Sequence, residues 1–325
     1  MMSKPKVALY WCASCGGCEE AVIDLAEDLL KVTEAVDIVF WPVALDFKKK
    51  DVEAMEDGEI ALTFINGAVR TEEQKEMVEL LRRKSGLVIA FGSCAHIGGI
   101  PGLANFYDRE KAFKRAYITT PSTVNPEGVL PSTETDVDGY RLTLPQFWNT
   151  VHTLDQVIDV DYYLPGCAPP PDLIMDAITA VLTGDLPEKG AVLAPVKSLC
   201  DTCPRSDSKP LKISISSLKR PHEVIPDPEK CFLEEGLICL GMSTRSGCGE
   251  RCINANMPCR GCFGPLDGVF DSGAKALSAI ASILELEDEE NATEEDLLKL
   301  LKPIADPAGL FYMYSLPSSL LRRSQ

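Results

Sequence analysis

Through the first 190 residues, short apolar runs of strand length alternate with stretches whose apolar positions recur at helical spacing. Val7–Trp11 is the first such run and ends in a loop carrying Cys12, Cys15 and Cys18. Glu19–Lys31 reads as a helix with Val22, Leu25 and Leu29 on one face. Its first turns hold Glu19, Glu20 and Asp24, where carboxylates suit the positive end of the helix dipole. Val36–Trp41 is the second strand, stopped by Pro42, and Ile60–Ile65 the third, followed by Asn66-Gly67. Thr71 and Gln74 form a capping box for the next helix, which carries Met77, Val78 and Leu81 inward and has Gly86 past its end. Leu87–Phe91 is a buried-type strand running into Gly92-Ser93-Cys94. Residues 100–150, rich in Pro, Gly and Thr, form a long excursion. Asp161–Leu164 is a further strand running into Pro165-Gly166-Cys167, and a helix over Asp172–Thr183, closed by Gly184, ends the unit. This alternation predicts a doubly wound α/β domain with a mainly parallel sheet over residues 1–190.

From Leu193 the periodicity fades. Residues 196–262 hold eight of the 13 cysteines and ten Lys/Arg against eight Asp/Glu. Apolar patterning there is too sparse for a core of side chains alone, so metal centres are expected to organise a segment spanning 191–270. Residues 271–325 form a last unit: a small-residue helix over Ser272–Leu284, an acidic run over Glu285–Glu290 and a short helix over Thr293–Leu301. An apolar tail, Leu310–Leu321, follows and ends in Arg322-Arg323.

Composition narrows the function. The chain has 325 residues, with 32 Lys+Arg against 49 Asp+Glu and a net charge of −17. That excess of acid argues against nucleic acid as a partner. The +2 charge of the cysteine-rich window leaves −19 on the rest of the molecule. No apolar run reaches the roughly 18 residues of a membrane span, and the N-terminal apolar stretch is too short for a secretory signal. A reducing cytoplasm is therefore the expected location. Disulfides are rare there, so 13 cysteines beside only three histidines point to metal.

Three cysteine positions share one context. The Cys12/Cys15/Cys18 loop, Cys94 and Cys167 each follow a predicted strand, where the loops of an open α/β sheet form its ligand crevice. Two thiolates from the first loop, with Cys94 and Cys167, supply the complement of a [4Fe-4S] cluster. A self-contained ferredoxin run fails, because Val22 stands where its next cysteine is required. A flavodoxin-type FMN site is disfavoured too, since cysteines occupy the phosphate loop. Sequence locality groups the other eight as Cys200, Cys203, Cys231 and Cys239, and as Cys248, Cys252, Cys259 and Cys262. Paired CxxC elements also suit structural zinc, but three sets, one at a sheet's ligand crevice, favour redox clusters. Clusters held by four thiolates have no open coordination position, so they pass electrons. Lys197, Arg205, Lys230, Arg245, Arg251 and Arg260 lie near these ligands and would raise their potentials.

Four landmarks resemble the small subunit of a [NiFe] hydrogenase. They are Trp11 with Cys15-Gly-Gly-Cys18, Gly92-Ser-Cys94-Ala followed by Gly98-Gly99, Pro165-Gly-Cys167-x-Pro-Pro, and the C-terminal cysteine block. The resemblance covers about residues 5–265 and implies a flavodoxin-like domain followed by a loop-rich C-terminal iron–sulfur domain. It assigns Cys15, Cys18, Cys94 and Cys167 to a proximal [4Fe-4S] cluster. Cys248, Cys252, Cys259 and Cys262 fall to a medial cluster, and Cys200, Cys203, Cys231 and Cys239 to a distal one. Many respiratory relatives have histidine at Cys200 and proline at Cys252; the cysteines here imply three all-cysteine clusters. The pattern most resembles the cytoplasmic F420-non-reducing type associated with heterodisulfide reductase. The implied Ni–Fe centre lies in a separate large subunit, so this chain carries no catalytic residue. An iron–sulfur adaptor is the implied route onward to heterodisulfide reductase. F420- or NAD(P)-reducing relatives are alternatives, and a complex I-type subunit is a more distant one. Glu20 and His96 are candidates for tuning the proximal cluster, Cys12 is the remainder, and the Leu310–Leu321 tail is a candidate for the subunit contact.

Overall fold

The computed structural model describes residues 4–286 and 291–321. Five strands, β1 (Lys6–Trp11), β2 (Asp37–Phe40), β3 (Ile60–Asn66), β4 (Ser85–Phe91) and β5 (Tyr162–Leu164), pair in parallel in the order β2-β1-β3-β4-β5. This is the flavodoxin-like doubly wound order, whose switch point lies between β1 and β3. Alternate residues of each strand enter opposite cores. Val7, Leu9, Phe64 and Phe91 pack with Val22, Val32, Ile174 and Ile178 from α1 (Gly17–Ile23), α2 (Asp28–Ala35) and α4 (Pro171–Thr183). Ala8, Ile65, Val88 and Ala90 pack with Met77, Val78 and Leu81 of α3 (Glu72–Lys84). Both faces are covered, which is why β3 and β4 read as nearly continuous apolar runs.

Local signals account for the element ends. The Thr71 hydroxyl accepts from the Gln74 N–H at 3.2 Å, and the Gln74 amide oxygen accepts from the Thr71 N–H at 3.1 Å. Gly184 closes α4 with a φ of 74°, as a C-terminal glycine should. Gly86 does not close α3: the helix ends at Lys84, and Gly86 lies inside β4. The helix expected over Glu19–Lys31 is two helices, α1 and α2, separated by a turn in which Ala26 has a φ of 51°. The excursion is mostly exposed and contains a hairpin, Glu134–Val137 with Tyr140–Thr143.

The cysteine-rich segment does have a core of side chains. Leu199, Phe232, Leu237 and Ile253 pack with Ala276 and Ile280 of α5 (Ser272–Ala281), Leu300 of α6 (Glu294–Leu301), Phe311 and Leu316. Its members come from loops and from elements far along the chain, which is why no periodicity announced it. The tail is thus partly committed to its own body. Residues 287–290 of the acidic run, and Arg322-Arg323, lie outside the described residues. Among the described residues, no helix is long and apolar enough to cross a membrane.

Candidate metal centres

Register brings the first cysteines together. Trp11 pairs with Asn66, Asn66 with Phe91, and Phe91 with Leu164, so four strands end in one row. Cys15, Cys94 and Cys167 follow that row by four, three and three residues. The first loop is sutured to the end of β3: the Cys12 N–H donates to the Asn66 carbonyl at 2.8 Å, and Ala13 and Ala68 exchange bonds of 2.8 and 3.0 Å. Gly67 makes this approach possible, since a Cβ there would stand 2.7 Å from the Cys12 carbonyl carbon. The suture turns Cys12 into the core beside Ala8 and Ile65, while Cys18 enters the opposite core. Burial alone pushes the Cys12 thiol up, so the remainder of the sequence pattern is a buried thiol apart from the other cysteines.

Cys15, Cys18, Cys94 and Cys167 share one compartment. Burial is the main cause that raises Cys18, followed by Cys94, Cys167 and Cys15. Burial, then Cys167 and Cys15, push Cys94 up to about 12. Cys167 is raised by burial and then by Cys15. Backbone approaches these thiols closely: a Cβ on Gly92 would stand 2.4 Å from Cys18 Sγ, and one on Gly99 would stand 2.4 Å from Cys94 Sγ. Cys18 and Cys94 are buried while Cys15 and Cys167 reach the surface, and four thiols this close ionise together only beside a compensating cation, which metal binding supplies as the protons leave. The donor set is all sulfur, which suits iron–sulfur clusters or zinc. Cys15, Cys18, Cys94 and Cys167 supply four sulfurs, the number that either group takes.

The other eight cysteines form a continuation of this compartment. Burial pushes Cys200 up to about 11, with Lys209 opposing and Cys231 and Cys203 adding to it. A Cβ on Gly241 would lie 3.5 Å from Cys200 Sγ and 3.7 Å from Cys239 Sγ. Burial also pushes Cys259 up to about 11, Cys248 and Cys252 adding to it against hydrogen bonds from Gly261 and Thr244. Two seams join the neighbourhoods. The Cys259 N–H donates to Cys239 Sγ at 3.3 Å. Cys167 lies within electrostatic range of the Cys262 thiol, and Ser93 Oγ donates to the Cys262 carbonyl.

The tuning candidates fare differently. Glu20 is exposed, whereas its neighbour Glu19 is buried and accepts from the Trp41 indole N–H and the Asn66 amide. Asn66 in turn accepts from Ser14 Oγ at 3.0 Å, so a polar network underlies the first cysteine loop. His96 packs on the Tyr163 ring at 4.7 Å, with a buried Nδ1 that has no hydrogen-bond partner among the described residues. Burial, aided by Arg245, lowers His96 to about 4. Two arginines singled out for their charge prove to be buried staples. Arg205 lies 4.0 Å over the Phe232 ring and donates to the Asp227 and Lys230 carbonyls and to Asn256. Arg245 joins Ala194 and Pro195 to Pro265 and Asp267. The network around Glu19 and both staples depend on distant partners, and local sequence carries no sign of them.

Fold and cysteine geometry together define an oxidoreductase subunit. Residues 15–181 match the family described as NADH ubiquinone oxidoreductase, 20 Kd subunit. The chain is 41% identical over 321 residues to the iron-sulfur subunit of the F420-non-reducing hydrogenase of Archaeoglobus profundus, covering 98% of each chain. It is 37% identical to an F420-non-reducing hydrogenase subunit of Methanothermobacter thermautotrophicus, covering 99% of this chain and 97% of that one. The chain belongs to the family of F420-non-reducing hydrogenase small subunits, which serve an oxidoreductase that acts as a complex. The fold is also that of the [NiFeSe] hydrogenase of Desulfovibrio vulgaris Hildenborough, with a TM-score of 0.50 at 18% identity over 82% of this chain and 95% of that one. The family expected from the sequence landmarks is borne out.

Proposed function

We propose that this chain is the electron relay of a [NiFe] hydrogenase and carries three [4Fe-4S] clusters. Cys15, Cys18, Cys94 and Cys167 hold the proximal cluster. Cys248, Cys252, Cys259 and Cys262 hold the medial one, and Cys200, Cys203, Cys231 and Cys239 the distal one. The observation that carries this reading is the succession of contacts among the cysteines. Twelve of them form neighbourhoods joined at two seams, Cys167–Cys262 and Cys259–Cys239, while Cys12 stands apart. When bound, such clusters take up and release single electrons. The protein supplies soft ligands and glycine-lined approaches for backbone, with Cys18, Cys94, Cys239 and Cys259 buried.

In this reading H2 is split on a Ni–Fe centre in a larger partner subunit, seated over the proximal set. Electrons leave from the distal set to an iron–sulfur adaptor and a heterodisulfide-reductase-type complex in the cytoplasm. The working division of the chain is 1–190, 191–270 and 271–325. Anaerobic purification tests the assembly. A larger nickel-containing chain should co-purify, and H2 should bleach the visible absorbance of this chain only when that partner is present. H2 evolution by this chain alone contradicts the relay role.

A further inference from the structure

One cation of the α/β unit is buried without a counter-charge among the described residues. Arg70 stands on the short strand Val69–Thr71, two residues after Ala68, which is sewn to Ala13 in the first cysteine loop. Its backbone N–H donates to Gln74 Oε1 at 2.8 Å, so the capping box of α3 pins the residue. Its guanidinium carbon lies 4.4 Å from the centroid of the Phe147 ring, which is backed by the Phe113 ring at 5.2 Å. The Phe147 carbonyl accepts from Arg109 Nη1 at 3.2 Å, so the plate under the guanidinium is itself held. Arg70 is 7% exposed, and neither Nε nor Nη2 has a hydrogen-bond partner among the described residues. Burial pulls the guanidinium below its usual range, and no carboxylate among those residues offsets it. The facing strand carries a second such group. Val69 pairs with His152 and Thr71 with Phe147, so Arg70 faces the irregular stretch that contains Thr150. Thr150 is 5% exposed, and its hydroxyl also lacks a partner among the described residues.

We propose that Arg70 anchors a carboxylate-binding site, with Thr150 as its second contact. Nε and Nη2 are the paired donors on one side of the guanidinium, a fork that takes both oxygens of a carboxylate. A hydroxyl can add a third bond to the same anion. A buried cation with two donors unpaired costs free energy that a bound anion recovers. The Phe147 ring fixes the plane of the fork but satisfies neither N–H. Two sources carry this chemistry: an Asp or Glu side chain of the larger subunit, and a small free carboxylate. Position favours the first, because the strand of Arg70 is sewn to the loop that bears Cys15 and Cys18. The fork does not depend on the cluster assignment; only the subunit-borne source rests on the proposed function.

The test uses the anaerobically purified complex and has two arms. If the larger subunit supplies the carboxylate, Arg70→Met should raise the dissociation constant between the subunits at least about tenfold, with iron per chain unchanged. Arg70→Lys restores a point charge without the fork and should recover only part of that loss. Thr150→Val keeps the volume, should give a smaller loss in the same direction, and serves where Arg70→Met fails to fold. If the carboxylate is free, millimolar sodium acetate should raise the unfolding midpoint of the parent complex above that in sodium chloride at equal ionic strength. Arg70→Met should then abolish the rise. Subunit affinity unmoved by Arg70→Met and by Thr150→Val, together with no acetate effect on the parent, overturns the site. A chain that binds acetate through Arg70 yet recruits no larger subunit supports the site and contradicts the proposed function instead.

Discussion

Replacing Glu19 by alanine removes the one acceptor shared by two buried donors, the Trp41 indole N–H and the Asn66 side-chain amide. Glu19 is 3% exposed, so water does not take the place of the lost carboxylate. Each stranded donor costs about 1–3 kcal/mol, which puts the combined loss at about 2–6 kcal/mol. That is a large share of the roughly 5–15 kcal/mol by which a domain is stable. The damage should not stay local. Asn66 also accepts from Ser14 Oγ, and its carbonyl takes the Cys12 N–H, so a loosened Asn66 frees the loop bearing Cys15 and Cys18. Glu19→Gln keeps the volume and one carbonyl oxygen but turns an NH2 toward a donor, and should cost about half as much. The assay is urea unfolding under anaerobic conditions, read as the midpoint at constant m, beside iron per chain. A double-mutant cycle with Asn66→Ala should show a coupling of about 0.5–3 kcal/mol. A Glu19→Ala protein within about 0.5 kcal/mol of the parent, with full iron, refutes the clamp.

Three further outcomes follow from particular contacts. Cys12→Ala should retain all the iron and lose about 1 kcal/mol of stability, as for a small buried side chain, whereas Cys15→Ala should lose the iron of the proximal set. Arg205→Lys keeps the charge but loses the planar fork that joins two carbonyls and Asn256. It should destabilise by about 2–3 kcal/mol in urea titrations and change the spectrum of the distal set first. Asp161 is raised by burial but lowered further by Lys189, Arg82 and the Val88 N–H, so the net direction is down. Its stabilising contribution is present above the ordinary carboxylate value of about 3.9 and fades as pH falls through the depressed one. Asp161→Asn should therefore be less stable than the parent near neutral pH, with the difference closing in urea titrations below about pH 3.9.

Much of the α/β unit was legible because its cues are local. Apolar runs marked β1, β3 and β4, and the Thr71–Gln74 box marked the start of α3. The break between α1 and α2 was not visible. Val22, Leu25, Leu29 and Val32 keep helical spacing straight through the turn at Ala26, so the periodicity carries no trace of it. Glu20 drew attention in place of Glu19 for a related reason. Adjacent helix residues point about 100° apart, and only Trp41 and Asn66, from other elements, decide which one is buried. The placement of cysteines just after β1, β4 and β5 was legible, because parallel register aligns strand ends. The third core and the bond from the Gly99 N–H to the Tyr314 carbonyl were beyond reach, since both join residues separated by many tens of positions.

Metal and sulfide analysis of the anaerobically purified complex tests the central claim most directly. Three [4Fe-4S] clusters predict about 12 iron and about 12 acid-labile sulfide per copy of this chain, with no stoichiometric zinc and a brown protein that bleaches on reduction. A colourless chain holding zinc in place of iron contradicts the relay.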